Sequence, residues 1–380
     1  MKLVVLQENL NKALGVVQRF TAPRGQLPIL ANILLSGEQG RLKLAATNLE
    51  MGVVYWLGAK VEAEGQITVP ARFLSEWVAS LPKERVELVV DKDKLAIKCG
   101  AYKGEFRGMG AAEFPEVPMR EKEVMVSLGL TEMEEVMAQV AVAAAADEGR
   151  PVLTGVRWKW AGDKLELVAT DGYRLSVKTL NRVQNAKSKI QNNEEKTLII
   201  PARTMMEVGQ IGRGLGEAQT QVEIAAVKGG SQVCFDWGDV QVTTRLLAGE
   251  FPEIEKVIPQ TMETEAVMEA EELTAAVRAA AIFARESANL VRWEIDKTGI
   301  MIAANSPQIG ENQIKVEAKV QGKGGKIAFN SRYLLEMLGA IKSKELKLEM
   351  TGGLNPGVFR MVGDESWLHI IMPVRVQEGN

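Results

Sequence analysis

The chain has 380 residues, a formal net charge of −3 and 25% charged side chains, a composition ordinary for a soluble globular protein. That acidic balance speaks against a protein that coats nucleic acid with its whole surface, while leaving room for a local basic face. No stretch approaches the roughly 20 apolar residues of a membrane helix and the N-terminal apolar run is too short for a secretory signal, so no membrane association and a cytoplasmic location are expected.

The first predicted element is an amphipathic helix, with Leu10, Leu14 and Val17 at i, i+4 and i+7. A proline-marked turn, LPILANILL (27–35), leads into a strand, and LAATNLEMGV (44–53) is a second strand ending in a small-residue corner. VPARFL (69–74) opens another helix, whose Phe73, Leu74, Trp77, Val78 and Leu81 form one apolar stripe. The alternating strands VELVV and KLAIKC follow, and AAEFPEVP (111–118) closes the segment.

The same order then recurs twice. The second copy has a helix through Met133, Met137 and Val140, with Thr131 and Glu134 as its expected capping box, then the turn RPVLTGVRW and the corner LVATDGYRLSV. Next comes a polar stretch at 181–197, expected to be a surface loop, in which Lys187 and Lys189 offer charge. IPARTM (200–205) opens a helix weakened by Gly209 and Gly212, and VEIAAV, QVCFDW and AGEFPEIEKVIP complete the copy. The third has Leu273, Val277 and Ala280 on its first helix, then ANLVRWEI, IAANSPQIGEN and FNSRYL. Its second helix repeats the stripe as Tyr333, Leu334, Met337, Leu338 and Ile341, before LKLEM and VFRMV. Asn48, Asp171 and Asn305 fall at the three corners, and the signature arginines Arg72, Arg203 and Arg332 lie 131 and 129 residues apart. So regular a period predicts three copies of one domain, at 1–120, 121–260 and 261–380. Each is expected to be α+β, with two helices packed on one side of antiparallel sheet.

Catalytic chemistry is hard to place. The lone histidine, His369, sits in the alternating strand SWLHIIMPV and reads as structural, and Cys99 and Cys234 read as buried thiols. GRGLG (212–216) follows a helix and GKGGK (322–326) lacks the Walker spacing, so both are expected to be turns. Asp171 is explained by its corner. No catalytic residue, metal ligand or cofactor is predicted.

Three such domains in a curved row acquire a meaning if two chains join head to tail into a closed ring of six. Twelve helices spaced at about 10 Å would line a circumference of about 120 Å, leaving a hole of about 28 Å that admits a nucleic-acid duplex.

LPILANILL, the corner TDGYRL, the linker FPEIEKVIP and the ending IIMPVRV together resemble the bacterial DNA polymerase III beta subunits, the sliding clamps, in order and over essentially the whole chain. The resemblance implies a ring-shaped homodimer that encircles duplex DNA without base readout and tethers a polymerase, with no catalysis of its own. It puts Lys12, Arg19, Arg72, Arg203, Arg278, Arg332 and Lys342 on helix faces toward DNA, with Arg24 and Arg150 on rim loops. It also implies an apolar cleft between the second and third domains, where the polymerase III catalytic subunit, the clamp loader, and other polymerases and repair factors insert short peptides. Carried over by motif, that cleft comprises Leu153, Thr170, Gly172, Tyr173, Arg174, Leu175, Pro252, Val257, Asn330, Tyr333 and Leu354, closed by Met372, Pro373, Val374, Arg375 and Val376. Arg174 and Arg375 are expected to face the peptide's backbone or carboxylates. Phe106 in the first domain, with Ile282 and Phe283 in the third, match the family's dimer contact. Tyr173 departs from a common histidine, Lys256 from an arginine and Ala288 from a phenylalanine, and Gln377 to Asn380 extend the end; these bear on which peptides bind. The rival readings are a monomeric repeat scaffold that binds proteins only, and an enzyme using Asp171 and Arg174.

Overall fold

The computed structural model describes residues 1–23, 25, 27–147, 149–161, 163–181, 196–215, 221–227 and 229–375. Repeat one runs β1 (Lys2–Leu6), α1 (Gln7–Val17), β2 (Asn32–Glu38), β3 (Arg41–Thr47), β4 (Met51–Gly58), β5 (Lys60–Ala63), β6 (Gly65–Pro70), α2 (Ala71–Ala79), β7 (Arg85–Asp91), β8 (Lys94–Cys99) and β9 (Tyr102–Arg107). Repeat two has β10 (Arg120–Gly129), α3 (Leu130–Gln139), β11 (Gly155–Ala161), β12 (Lys164–Thr170), β13 (Arg174–Asn181), β14 (Lys196–Pro201), α4 (Ala202–Leu215), β15 (Gln221–Val227), β16 (Gln232–Asp236) and β17 (Val240–Arg245). Repeat three has β18 (Thr264–Glu269), α5 (Ala270–Ala284), β19 (Leu290–Asp296), β20 (Gly299–Ser306), β21 (Gly310–Val316), β22 (Ala318–Gly322), β23 (Gly325–Asn330), α6 (Ser331–Leu338), β24 (Glu345–Met350), β25 (Gly357–Met361) and β26 (Asp364–Ile371). Repeats one and three match element for element. Repeat two matches them except opposite β5 and β22, where its residues lie outside those described, as do Lys187 and Lys189.

Every helix starts on the residue after a strand ends. The signature stretches VPAR, IPAR and FNSR are therefore strand-to-helix corners, and in the third Asn330 caps α6 by accepting a hydrogen bond from the Arg332 amide at 2.9 Å. For the same reason the capping box expected at Thr131 does not form as such: α3 begins at Leu130, directly behind β10, so Thr131 is already inside the helix.

Two compact units emerge, one of residues 1–130 and 210–246, the other of the described residues in 131–209 and 247–375. In the first, a five-stranded sheet has the order β5-β1-β7-β8-β9 and an eight-stranded sheet the order β10-β15-β16-β17-β4-β3-β2-β6. In the second, a nine-stranded sheet runs β14-β11-β12-β13-β26-β25-β24-β18-β22 and a four-stranded sheet β21-β20-β19-β23. The pairings are antiparallel throughout, as the hairpin-rich sequence requires. The last strand of one repeat thus joins the third sheet strand of the repeat before it twice, as β17 on β4 and as β13 against β26.

Periodicity located the core correctly. Leu10, Leu14 and Val17 on α1, Met133 and Met137 on α3, and Leu273, Val277 and Ala280 on α5 are all buried, each large aliphatic worth about 1.5–3 kcal/mol. One member of the predicted α2 stripe departs: Phe73 is 63% exposed, while Leu74, Val78 and Leu81 are buried. Gly209 and Gly212 do not weaken the second helix of repeat two, which at 14 residues outlasts α2 and α6. A Cβ at Gly209 would overlap the Met137 sulfur and one at Gly212 would lie 3.2 Å from Leu130 Cδ2, so the glycines let α4 approach its neighbours closely. Residues 212–215 of the GRGLG stretch are consequently helical instead of a turn. GKGGK does form a turn, with Gly322, Gly324 and Gly325 at positive φ. Cys99 and Cys234 are buried free thiols, and His369 is fully buried.

Candidate functional site

The corner between β12 and β13 is built by two side chains. Thr170 Oγ1 donates to the Arg174 carbonyl at 2.6 Å and accepts from the Gly172 amide at 3.1 Å. Asp171 Oδ1 accepts from the Tyr173 and Arg174 amides at 2.8 and 2.9 Å. Gly172 turns at φ +91°. Repeat one uses the same device, with Thr47 and Asn48 in these roles. In repeat three the amides of Gln308 and Ile309 are held by Ser306 Oγ at 3.3 Å, so the counterpart of Asp171 is Ser306 and not Asn305. A serine in place of Asn or Asp hides that equivalence in the sequence.

Behind this corner lies a cavity of about 210 Å³. Arg150, Leu153, Thr170, Gly172, Arg174 and Leu175 line it from one side, Pro252, Glu253, Ile254 and Val257 from the linker, and Ile370 and Met372 from the end of β26. Its floor is the cluster of Val168, Leu175, Val177, Ile254, Val358 and Ile370. Beyond β26 the chain is pinned by the Met372 amide on the Tyr173 carbonyl and the Val374 amide on the Ala328 carbonyl, both at 2.8 Å. Val257, which lines the cavity, and Tyr173, between the lining residues Gly172 and Arg174, are 41% and 65% exposed, so the cavity opens beside uncovered apolar side chains; Leu354, on the loop between β24 and β25, is exposed as well.

Eight of the residues assigned to a cleft from sequence line this cavity: Leu153, Thr170, Gly172, Arg174, Leu175, Pro252, Val257 and Met372. Tyr173, Asn330, Tyr333, Leu354, Pro373, Val374 and Arg375 do not, and Val376 lies outside the described residues. Glu253, Ile254 and Ile370 were missed, the two isoleucines because their apolar positions look like core. Arg150, which the resemblance assigns to a DNA-facing rim, lines the cavity.

Arg174 is not a loose cation. Its side chain is 6% exposed, with Nε on Asp171 Oδ2 at 3.1 Å and Nη1 on Glu336 Oε2 at 2.6 Å. The guanidinium carbon stands 4.5 Å above the Tyr333 ring centre. The other oxygen of Glu336 accepts from Arg332 Nε at 2.8 Å. Burial works to raise the Glu336 pKa, but hydrogen bonds and charge from Arg332 and Arg174 outweigh it and hold the carboxyl below its usual range.

On the helices two of the three signature arginines have carboxylate partners one turn away, and the third has a glutamate at the same spacing. Arg72 pairs with Glu76 at 2.8 Å, one turn on, as Arg332 does with Glu336. Glu207 stands in the same place after Arg203. Lys342 lies 3.6 Å from Glu135, and Arg19 donates to Gln210. Arg203, Arg278 and Lys12 are exposed, and Arg24 lies outside the described residues. At the free edge β9, Phe106 meets Trp77 edge to face at 5.7 Å. Ile282 is 52% exposed, while Phe283 packs against the third repeat's core. Asn312 Oδ1, on another edge strand, β21, is buried without a hydrogen-bond partner.

Among the described residues no group of three or more His, Cys, Asp or Glu could hold a metal, and no helix is long and apolar enough to cross a membrane.

Three domain models match in succession: the DNA polymerase III beta subunit's N-terminal domain over residues 1–118, its central domain over 127–253 and its C-terminal domain over 255–375. The chain is 31% identical to the beta sliding clamp of Synechococcus elongatus and 30% to that of Synechocystis, in each case over 99% of this chain and 100% of the relative. The solved sliding clamp of Bacillus subtilis superposes with a TM-score of 0.90 at 26% identity, and the polymerase III beta subunit of Thermotoga maritima with 0.89 at 28%, each over 99% of this chain and 100% of the other.

Proposed function

This chain belongs to the DNA polymerase III beta-subunit family, the beta sliding clamps, and from that premise we propose that two copies close head to tail around duplex DNA and take partner peptides in the cavity behind the Asp171 corner. It is a sliding clamp, a non-catalytic subunit that works with DNA and a polymerase. The enclosure, the homodimer and the peptide site are the proposal.

One observation carries closure: the repeat leaves two strand edges unjoined whose counterparts are joined. β9 occupies in repeat one the place of β17 and β26, and β21 occupies in repeat three the place of β4 and β13. Backbone groups along such an edge seek a strand, and a second copy supplies it at both ends, since a heterologous contact between two chains can close. The in-chain register transfers. Val240 pairs with Tyr55 and Thr243 with Gly52; Tyr102 starts β9 as Val240 starts β17, and Glu311 follows its corner as Gly52 does. Tyr102 of one copy then faces Ile314 of the other, Lys103 faces Gln313, Gly104 faces Asn312 and Phe106 faces Gly310. Faces agree as well: Tyr102, Gly104 and Phe106 share the inward side with Leu95 and Ile97, and Asn312 and Ile314 share it with Ala304 and Ile302.

Arg72, Arg203, Arg278, Arg332 and Lys342 are proposed to face the enclosed duplex. Glutamates beside Arg72 and Arg332 soften that grip, which suits a ring that slides. The cleft suits a short aliphatic peptide of the polymerase III catalytic subunit or the clamp loader, by its apolar floor and exposed fringe. Loading on nicked circular DNA tests enclosure: the protein should persist in high salt and leave when the circle is cut. Stripping from intact circles by salt alone refutes it.

A further inference from the structure

Arg174 is committed before any peptide arrives. Two carboxylates, Asp171 and Glu336, already hold its guanidinium at 3.1 and 2.6 Å, and the ring of Tyr333 covers one face. Arg332 holds the second oxygen of Glu336 from the exposed side of α6 and shares its charge, so Asp171, Arg174, Glu336 and Arg332 alternate in sign. A carboxylate entering the cavity beside Arg174 meets a cation whose charge is spent and two acids close behind it, in a partly buried place where screening is weak.

We propose that Glu336 is a specificity-determining positioning residue of the cleft: by occupying Arg174 it makes the site reject an acidic peptide side chain at that wall and accept a neutral polar or apolar one. Discrimination of this kind comes from a repulsive element set against the rejected ligand. The inference rests on the peptide-binding reading of the cavity. Arg332 sets its strength, because whatever draws Glu336 toward Arg332 loosens its hold on Arg174.

The test uses the full-length protein and a cleft-binding peptide of the cognate polymerase III catalytic subunit, remade as Asp/Asn pairs at each position in turn and titrated by calorimetry. At the position that packs against Arg174, wild type should favour Asn. Glu336→Gln should move the Asp-to-Asn affinity ratio toward Asp by roughly five- to tenfold, the scale of one lightly screened charge pair. Arg332→Gln should move it the other way. Asp171→Asn keeps the turn, since an amide oxygen can accept from the same two amides, and should shift the ratio in the direction of Glu336→Gln. A variant that had merely loosened the fold would weaken both members of a pair alike. Ratios unchanged at every position in Glu336→Gln and Asp171→Asn overturn the inference. If no polymerase peptide binds wild type, the cleft reading itself has failed, which the wild-type titration shows by itself.

Discussion

The register proposed between copies can be tested to within one residue by engineering cysteines on the two free edges. Lys103 and Gln313 sit on the outward faces of β9 and β21 and are exposed, so Lys103→Cys with Gln313→Cys should leave the fold intact. Opposite residues of an antiparallel pair have Cα atoms about 4.5–5.5 Å apart, inside the range of about 4.4–6.8 Å that a disulfide spans. A slip of two residues adds about 6.6 Å along the strand and puts the pair about 8.5 Å apart, beyond that range. Native thiols do not interfere: Cys99 and Cys234 are buried, and burial pushes the Cys234 pKa up to about 11. Mild oxidation should convert the 41.6 kDa chain to a covalent dimer of twice that mass on a non-reducing gel, and cross-linked rings should hold circular DNA through denaturant. Lys103→Cys with Glu311→Cys should cross-link poorly. Equal yields from both pairs, or a better yield from the second, refute the transferred register.

A Cβ at Gly104 would come within 2.8 Å of the Trp77 ring, so Gly104→Ala should cost about 1–3 kcal/mol by overpacking and weaken the dimer; sedentation-equilibrium mass at fixed concentration reads the loss, and an unchanged dimer contradicts it. Val257→Asp should cut peptide affinity more than about 100-fold, since an unpaired carboxylate against aliphatic walls costs several kcal/mol, while circle retention stays intact; calorimetry separates the two. Burial depresses the His369 pKa to about 3, with the Arg174 charge acting the same way. Above the unfolded value near 6.5 both states are neutral there; below it only the unfolded chain takes the proton, so stability should fall by about 1.4 kcal/mol per pH unit from about 6.5 toward 3. His369→Phe should flatten urea-melt stabilities between about pH 6.5 and 5, and an unchanged slope rejects the assignment.

Spacing made the repeat, the six helices and most strands legible, because burial of one face imposes the same period in each copy. Sequence could not show where a repeat's sheets end, since joining β17 to β4 leaves no mark in either strand. Phe73 read as core because an exposed aromatic at helical spacing has the same pattern as a buried one. Gly209 and Gly212 read as weakness because close helix approach is visible only once the partner, Met137 or Leu130, is placed. Of the cleft, the corner residues were legible through Thr170, Asp171 and Gly172. The engagement of Arg174 was not, as its partner Glu336 lies 162 positions away.

The structure also accounts for a cleft at one in-chain joint and a different surface at the other. Repeat one has the same corner and a matching FPE linker, yet Gly52 stands where repeat two has Leu175, and Val117 where it has Ile254. A Cβ on Gly52 would sit 2.9 Å from Val117 Cγ1, so the valine lies directly on the strand backbone and joins Ala45 and Val54 in a small cluster. In repeat two the Leu175 side chain occupies that level, and Ile254 packs beside it with Val168, Val177, Val358 and Ile370. Met51, 4% exposed, replaces Arg174 and brings no charge for a glutamate to hold, and Leu49 replaces the Gly172 that leaves the mouth uncovered. One triplicated scaffold thus reaches two outcomes by four exchanges, three on the corner and its strand and one on the linker. Leu175, which fills the level that Val117 takes in repeat one, is as much a part of the proposed binding site as any side chain a peptide would touch.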